Sequence, residues 1–234
     1  MFDQLLYPFL NILTFFSWLI PGHNIALSIT ALTLLVRFIL ILPSKRAAQA
    51  QRKMAQLQPL IEELKTEYGD DKQGLAAAQM ELYKKNNASP FGACLPLLIQ
   101  IPLLLILYRT IYLGLTPNNP HIYSFVPRPD HIGTTLFGID LLKPDIFYLG
   151  GIGIPAILPW LAAIVQYLQV RLTTAPTATT AKVAEGQFDP QAIQKQTALI
   201  IPIFTLVIAR NFPAGVVVYW IVNTGFSVVQ QYFV

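Results

Sequence analysis

Arg37 lies within the apolar run NIALSITALTLLVRFILILP, residues 24–43. A run of this length can cross a bilayer as a helix. A charge near the middle of such a segment costs at least ~2.5–3.5 kcal/mol, so it normally faces a bundle interior or a wet cavity. Arg37 lies six residues before Pro43, which is roughly 9 Å of straight helix rise. A snorkelling arginine that reaches the headgroups is one reading. A polar pocket open to the cytoplasm is the other.

Other polar residues fall at helical spacing around it. Thr30, Thr33 and Arg37 share one face. Gln100 sits in the middle of a second apolar segment, and Trp220, Asn223, Thr224, Ser227 and Gln231 share a face of the last one. Asp and Glu are missing from the centre of every apolar segment. The charge of Arg37 must then be met by water, amides, hydroxyls or a visiting anionic group. This suggests a hydrated groove lined by the first, second and fifth segments. Interhelical hydrogen bonding alone, worth about 0.6 kcal/mol per contact, would explain Gln100 or Asn223 singly but explains Arg37 poorly.

Catalysis has little support. His23, His121 and His131 lie outside the apolar segments and read as exposed loop residues. The chain holds no G-x-S-x-G, no H-E-x-x-H and no intramembrane carboxylate cluster, and Ser227 lacks a plausible base. Cys94, between Gly92 and Pro96, suits small-residue packing rather than reactivity. No catalytic residue, metal or cofactor is expected. The paired acids of a proton-driven transport cycle are also lacking.

Composition places these residues in a membrane. The chain is 54% hydrophobic and 12% charged, with a mean hydropathy of +0.51, whereas soluble domains carry about 25% charge. Long apolar segments argue for helices rather than a barrel, whose strands would alternate over about 10 residues. The net charge of +4 could point to nucleic acid. The Lys and Arg distribution explains it instead through the positive-inside rule, so no direct nucleic-acid binding is expected. The single cysteine rules out an internal disulfide, and residues 1–20 lack the basic start of an ordinary signal peptide.

The expected architecture is an all-α polytopic membrane protein. Residues 1–22 should form an amphipathic helix lying on the outer interface. Five transmembrane helices follow at 23–44, 89–114, 146–172, 192–210 and 211–234. Residues 45–88 carry mixed charges, with Met54, Leu57, Ile61, Leu64 and Tyr68 and then Leu75, Ala78 and Leu82 at spacings of three and four. They should form a cytoplasmic hairpin of two antiparallel helices joined by a Gly-Asp turn. Residues 115–145 should form an external loop and 173–191 a cytoplasmic one. Most Lys and Arg then lie on the side of residues 45–88, which puts the N-terminus outside and the C-terminus in the cytoplasm.

Several stretches together resemble the YidC-type membrane protein insertases. They are Thr33-Leu-Leu-Val-Arg37, Lys53-Met-Ala-Gln-Leu-Gln-Pro59, Leu82-Tyr-Lys-Lys-Asn86 with Gly92-Ala-Cys-Leu-Pro96 and Gln100-Ile-Pro102, and Phe212-Pro-Ala-Gly-Val-Val-Val-Tyr-Trp-Ile-Val-Asn223 with Gln230-Gln231. The resemblance covers nearly the whole chain. It implies five spans around a positively charged groove, open to cytoplasm and lipid and closed to the outside. Arg37 would be the groove arginine, and Thr33, Gln100, Trp220 and Asn223 would line the groove, with Thr30 on the same face as Arg37. The implied function is insertion of nascent membrane proteins into a bacterial inner membrane without ATP. The Sec translocon, a ribosome and a targeting receptor are candidate partners beside membrane lipid. The large periplasmic domain and the basic C-terminal tail of many members are absent from these residues. Rival readings are an assembly chaperone that acts only with the Sec translocon, and a small-solute transporter.

Overall fold

A computed structural model describes residues 2–69, 71–88, 95–112, 119–173 and 190–233. Its helices are α1 (Phe2–Leu19), α2 (Ile25–Ile39), α3 (Ile41–Gln56), α4 (Gln58–Tyr68), α5 (Lys72–Lys85), α6 (Leu95–Tyr112), α7 (Ile157–Thr173), α8 (Pro190–Ala209) and α9 (Ala214–Phe233). Two small antiparallel hairpins stand between α6 and α7. They are β1 (Thr135–Leu136) with β2 (Ile139–Asp140), and β3 (Ile146–Leu149) with β4 (Ile152–Pro155). Cys94 and residues 174–189 of the loop expected at 173–191 lie outside the described residues, while 190 and 191 already belong to α8.

The main core collects Leu10 and Leu13 of α1, Ile25, Ile29 and Leu32 of α2, Leu107 and Ile111 of α6, and Val216 and Val217 of α9. Burial of these side chains drives the assembly of the helices. α9 is the hub, packed against α2, α6 and α7. It runs parallel to α2 and antiparallel to α6, because Gly215 lies beside Ile29 and Ile111 while Asn223 meets Arg37 and Gln100. A Cβ at Gly215 would stand 3.2 Å from Ile29, Ile111 and the Leu141 carbonyl. Glycine is what lets the three elements come this close.

Residues 119–156 cover the end of the bundle where α2, α7 and α9 begin. Asn24 caps α2 through Ala26 N, 2.9 Å away, and its amide also reaches the Thr135 carbonyl at 2.8 Å. Asp145 Oδ2 accepts from Leu158 N at 2.7 Å and so caps α7. The first amides of α9, on Ala214 and Gly215, donate to the carbonyls of Lys143 and Leu141. Helix N-termini leave orphan N–H groups, and here the covering segment supplies their acceptors. Buried Asn11 of α1 holds the same segment from the side, donating to the His121 carbonyl and accepting from Tyr123 N.

The structure corrects several element expectations. The helix expected from residue 146 begins at Ile157, and residues 146–155 pair as a hairpin. Gly150 and Gly151, both with positive φ, form the two-residue turn that such a hairpin needs, and Asp145 sets the later helix start. The helix bearing Arg37 ends at Ile39 rather than near Pro43. The chain bends by 68° into α3, where Pro43 occupies the first turn. No intrahelical bond is lost there, since that N–H would be an orphan anyway. His23 is half-buried rather than exposed, and its Nδ1 lies 2.8 Å from the Ser17 carbonyl.

Between residues 45 and 88, α4 and α5 pack antiparallel. Leu57 and Ile61 at the start of α4 meet Tyr83 and Leu82 at the end of α5. Gly69, with φ +51°, ends α4, and the Asp71 side chain caps α5 through Gly74 N. α3 precedes them as a third helix. Among the described residues, no single helix is both long and apolar enough to cross a membrane. The bent pair α2–α3 passes that test jointly, and Leu6–Leu19, Gln100–Tyr112, Ile157–Leu172 and Ile200–Ala209 are shorter apolar helices.

Candidate functional site: a guanidinium held by amides

Arg37 lies in the last turn of α2. A cation there faces the partly negative end of the helix dipole. The bend after Ile39 means that the helix does not run straight from Arg37 to Pro43, so the 9 Å axial reach does not apply. The guanidinium turns inward, to α9. Its Nε donates to Asn223 Oδ1 at 2.7 Å, and an Nη donates to the Asn223 carbonyl at 2.7 Å. One residue therefore supplies both acceptors, on the same edge of the guanidinium fork. The Phe226 ring lies 5.7 Å from Arg37 Cζ, within cation–π range.

The chain of contacts continues to α6. Asn223 Nδ2 donates to Gln100 Oε1 at 2.6 Å, and Gln100 Nε2 donates to the Tyr219 hydroxyl at 2.9 Å. The order Arg37, Asn223, Gln100, Tyr219 thus links α2, α9 and α6. Asn223 and Tyr219 are buried, while Arg37 and Gln100 are partly exposed. Among the described residues, no carboxylate pairs with Arg37. Its hydrogen-bond acceptors among the described residues are the amide oxygen and carbonyl of Asn223, one of the solutions open to it from sequence.

The remaining candidates divide. Thr33 is buried and bonds its own helix at the Ile29 carbonyl, 2.6 Å away. It also helps to line a small pocket beside Phe9, Val36, Leu103 and Tyr219. Thr30 bonds the Ala26 carbonyl at 2.8 Å and makes no link to the Arg37 network. Trp220 turns toward α7, where its indole donates to Gln166 Oε1 at 3.2 Å and Gln166 donates in turn to Gln169. The structure therefore brings Arg37, Gln100 and Asn223 together, with Thr33 nearby, and leaves Thr30 and Trp220 outside this network.

Tyr219 is a member that the polar pattern did not single out. Its signal was its position, four residues before Asn223 and hence on nearly the same helical face. A second polar contact lies farther along, toward the bend. Gln230 Nε2 donates to Ser44 Oγ at 2.9 Å, and Arg52 of α3 donates to the Gln231 carbonyl near the end of α9. These bonds tie α3 across the end of the bundle opposite residues 119–156.

The chain matches the family described as 60Kd inner membrane protein over residues 15–234. It is 30% identical over 233 residues to the "Membrane protein insertase YidC" of Magnetococcus marinus, covering 100% of this chain and 36% of that protein. It is 36% identical over 220 residues to the protein of the same name from Jannaschia sp., covering 90% of this chain and 32% of the relative. The chain thus spans about a third of the length of the curated relatives it matches. Among solved structures, one titled "Active YidC insertase crystal structure with the first transmembrane domain resolved" aligns with 100% of this chain and 47% of its own. The TM-score is 0.63 at 22% identity, and the likeness is one of fold.

Proposed function

Because the chain belongs to the 60Kd inner membrane protein family, which includes the YidC insertases, we propose that it inserts nascent membrane proteins into a bacterial inner membrane. The observation that carries this reading is the Arg37 guanidinium, partly buried in an apolar bundle and hydrogen-bonded to the side-chain amide and carbonyl of Asn223, with no carboxylate paired to it among the described residues. Neutral acceptors stabilise a partly buried cation less than a carboxylate does. A carboxylate adds the Coulomb attraction of an opposite charge to the guanidinium's hydrogen bonds and can engage it bidentately. An acidic residue in a translocated segment would therefore be a better partner for Arg37 than Asn223 is.

In this mechanism, Arg37, Gln100 and Asn223 line a hydrophilic groove open to cytoplasm and lipid. The groove shortens the dry part of a path that otherwise crosses ~30 Å of hydrocarbon. Residues 119–156 close it on the outer side. A polar segment enters, exchanges its carboxylate for the Asn223 dipoles, and is drawn across. Its apolar helix then leaves along α7 and α9 into lipid, driven by burial of apolar surface. Bonds change only between hydrogen-bond partners, so the cycle has no enzymatic step and needs no ATP. The α4–α5 pair faces the cytoplasm and receives substrates. Five spans, the N-terminus outside and the C-terminus inside, complete the arrangement.

The test uses purified protein in liposomes without Sec components. Protease protection is scored for a single-span substrate with a short acidic N-terminal tail. Wild type is expected to protect the tail and Arg37→Ala to lose that protection, while a substrate with a neutral tail loses less. Equal protection by wild type and variant would refute the arginine mechanism. No protection by folded wild type would refute autonomous insertion.

A further inference from the structure

The β3–β4 hairpin exposes a cluster of large apolar side chains at its end of the molecule. Tyr148 is 71% exposed, Leu149 66% and Ile152 68%. Leu149 and Ile152 face each other across the glycine turn, and Phe147 pairs with Ile154 one step farther down, so these four side chains share one face. No charged residue occurs anywhere from Ile146 to Val170. An isolated two-stranded hairpin is marginally stable at best in water, and a contiguous exposed apolar patch marks an interaction surface.

Continuity tells what covers it. The base of the hairpin packs on α7 and α8. Both helices carry exposed apolar faces that begin where the hairpin ends, with Ile157, Trp160 and Ile164 on α7. In a member of an inner-membrane family these faces meet lipid, and the hairpin prolongs them past the helix end. Its backbone sets the depth. A two-stranded ladder leaves N–H and C=O groups unpaired along both outer edges, and hydrocarbon offers them no partner. Water and lipid headgroups do. Tyr148, with an apolar ring and a polar tip, suits the same zone. Phe137, at the tip of the other hairpin on the same covering segment, is 97% exposed at φ +50°. An L-residue other than Gly, Asn or Asp is uncommon there.

We propose that the β3–β4 hairpin is a membrane-interface anchor, seated in the headgroup–acyl boundary of the leaflet nearest the helix ends covered by residues 119–156. Single cysteines are introduced by Leu149→Cys and Ile152→Cys, with Glu67→Cys on α4 as an aqueous control, all in a Cys94→Ser chain. Each is labelled with an environment-sensitive fluorophore and reconstituted into phosphatidylcholine–phosphatidylglycerol vesicles. Retention in the vesicles after an alkaline wash establishes membrane residence separately. The expected result at 149 and 152 is a blue shift and loss of iodide quenching relative to 67. Quenching should be stronger from a spin-labelled lipid near the headgroup than from one near the acyl terminus, and diluting the protein into more lipid should change nothing. Iodide quenching equal to the control in washed vesicles would overturn the proposal. So would stronger quenching from the deep label, or shielding that disappears on dilution, which would mark a second protein copy as the occupant. The same readout in chains that keep Cys94, with labelled wild type as blank, covers the case in which Cys94→Ser does not fold.

Discussion

The two ends of the helical bundle satisfy their polar groups in opposite ways. At the end where α2, α7 and α9 begin, the donors are mostly main-chain amides, and their acceptors are carbonyls or caps from residues 119–156 and Asn24. Leu141, Ile122 and Val126 fill in beneath them. At the other end the partners are mainly side chains, from Arg37, Asn223 and Gln100 to Ser44 and Gln230. Main-chain bonds are fixed by the fold and break only when it opens. Side-chain bonds exchange by rotamer changes and can be given up to a newcomer. On the proposed mechanism, one end would stay shut and the other would trade partners.

Substitutions can break that contrast, and the largest effect belongs to the shut end. Ile29 is fully buried against Gly215 and the α6 contact. Ile29→Ala should destabilise the protein by ~2–5 kcal/mol. This would be read as a lower denaturation midpoint in detergent, with insertion lost only in proportion to folded protein. At the trading end the order reverses. Arg37→Ala leaves the buried Asn223 acceptors unpaired and should lower the midpoint by less than Ile29→Ala does, by the ~1–3 kcal/mol of such a loss, but it should slow insertion of an acidic-tailed substrate by about tenfold or more per folded protein, since hydrogen bonds to charged groups are worth ~1.5–3 kcal/mol. Asn223→Asp sharpens the point. It gives Arg37 a resident carboxylate, so stability should hold while acidic tails insert several-fold more slowly. A faster rate would show that Asn223 does not compete with the substrate.

Smaller effects should separate capping from lining. Asp145→Ala removes the α7 cap and should cost ~0.5–2 kcal/mol, visible as faster hydrogen exchange in the first turn of α7 with insertion unchanged. Thr30→Val is the smallest. Its hydroxyl serves only its own helix, so both stability and insertion should stay within about 0.5 kcal/mol of wild type. A clear insertion defect would return Thr30 to the site.

Much of the candidate site was legible because a polar side chain in an apolar run has few explanations. Arg37, Gln100 and Asn223 each stood out that way, and the structure joins them by hydrogen bonds. Trp220 stood out too, but it sits on the other flank of α9. Successive helix residues diverge by about 100°, so Tyr219 and Trp220 point apart on either side of Asn223. Which of them meets Gln100 depends on where α6 and α7 lie, and no spacing within α9 reveals that.

The fold divides along the same line. Hydrophobic periodicity and lack of charge determined that the chain is a helical membrane protein with a charged helical segment after Arg37, because those features depend only on each residue's affinity for water. The same measure could not distinguish the hairpin at 146–155 from the helix that follows. Both are uncharged and apolar, and the change of structure rests on the paired glycines and on an aspartate whose cap forms only in place. Nor could it locate the helix break before Pro43, or show that Arg37 turns to α9 rather than to the headgroups. Those outcomes were decided in the tertiary structure, where a guanidinium takes the nearest acceptors that packing supplies.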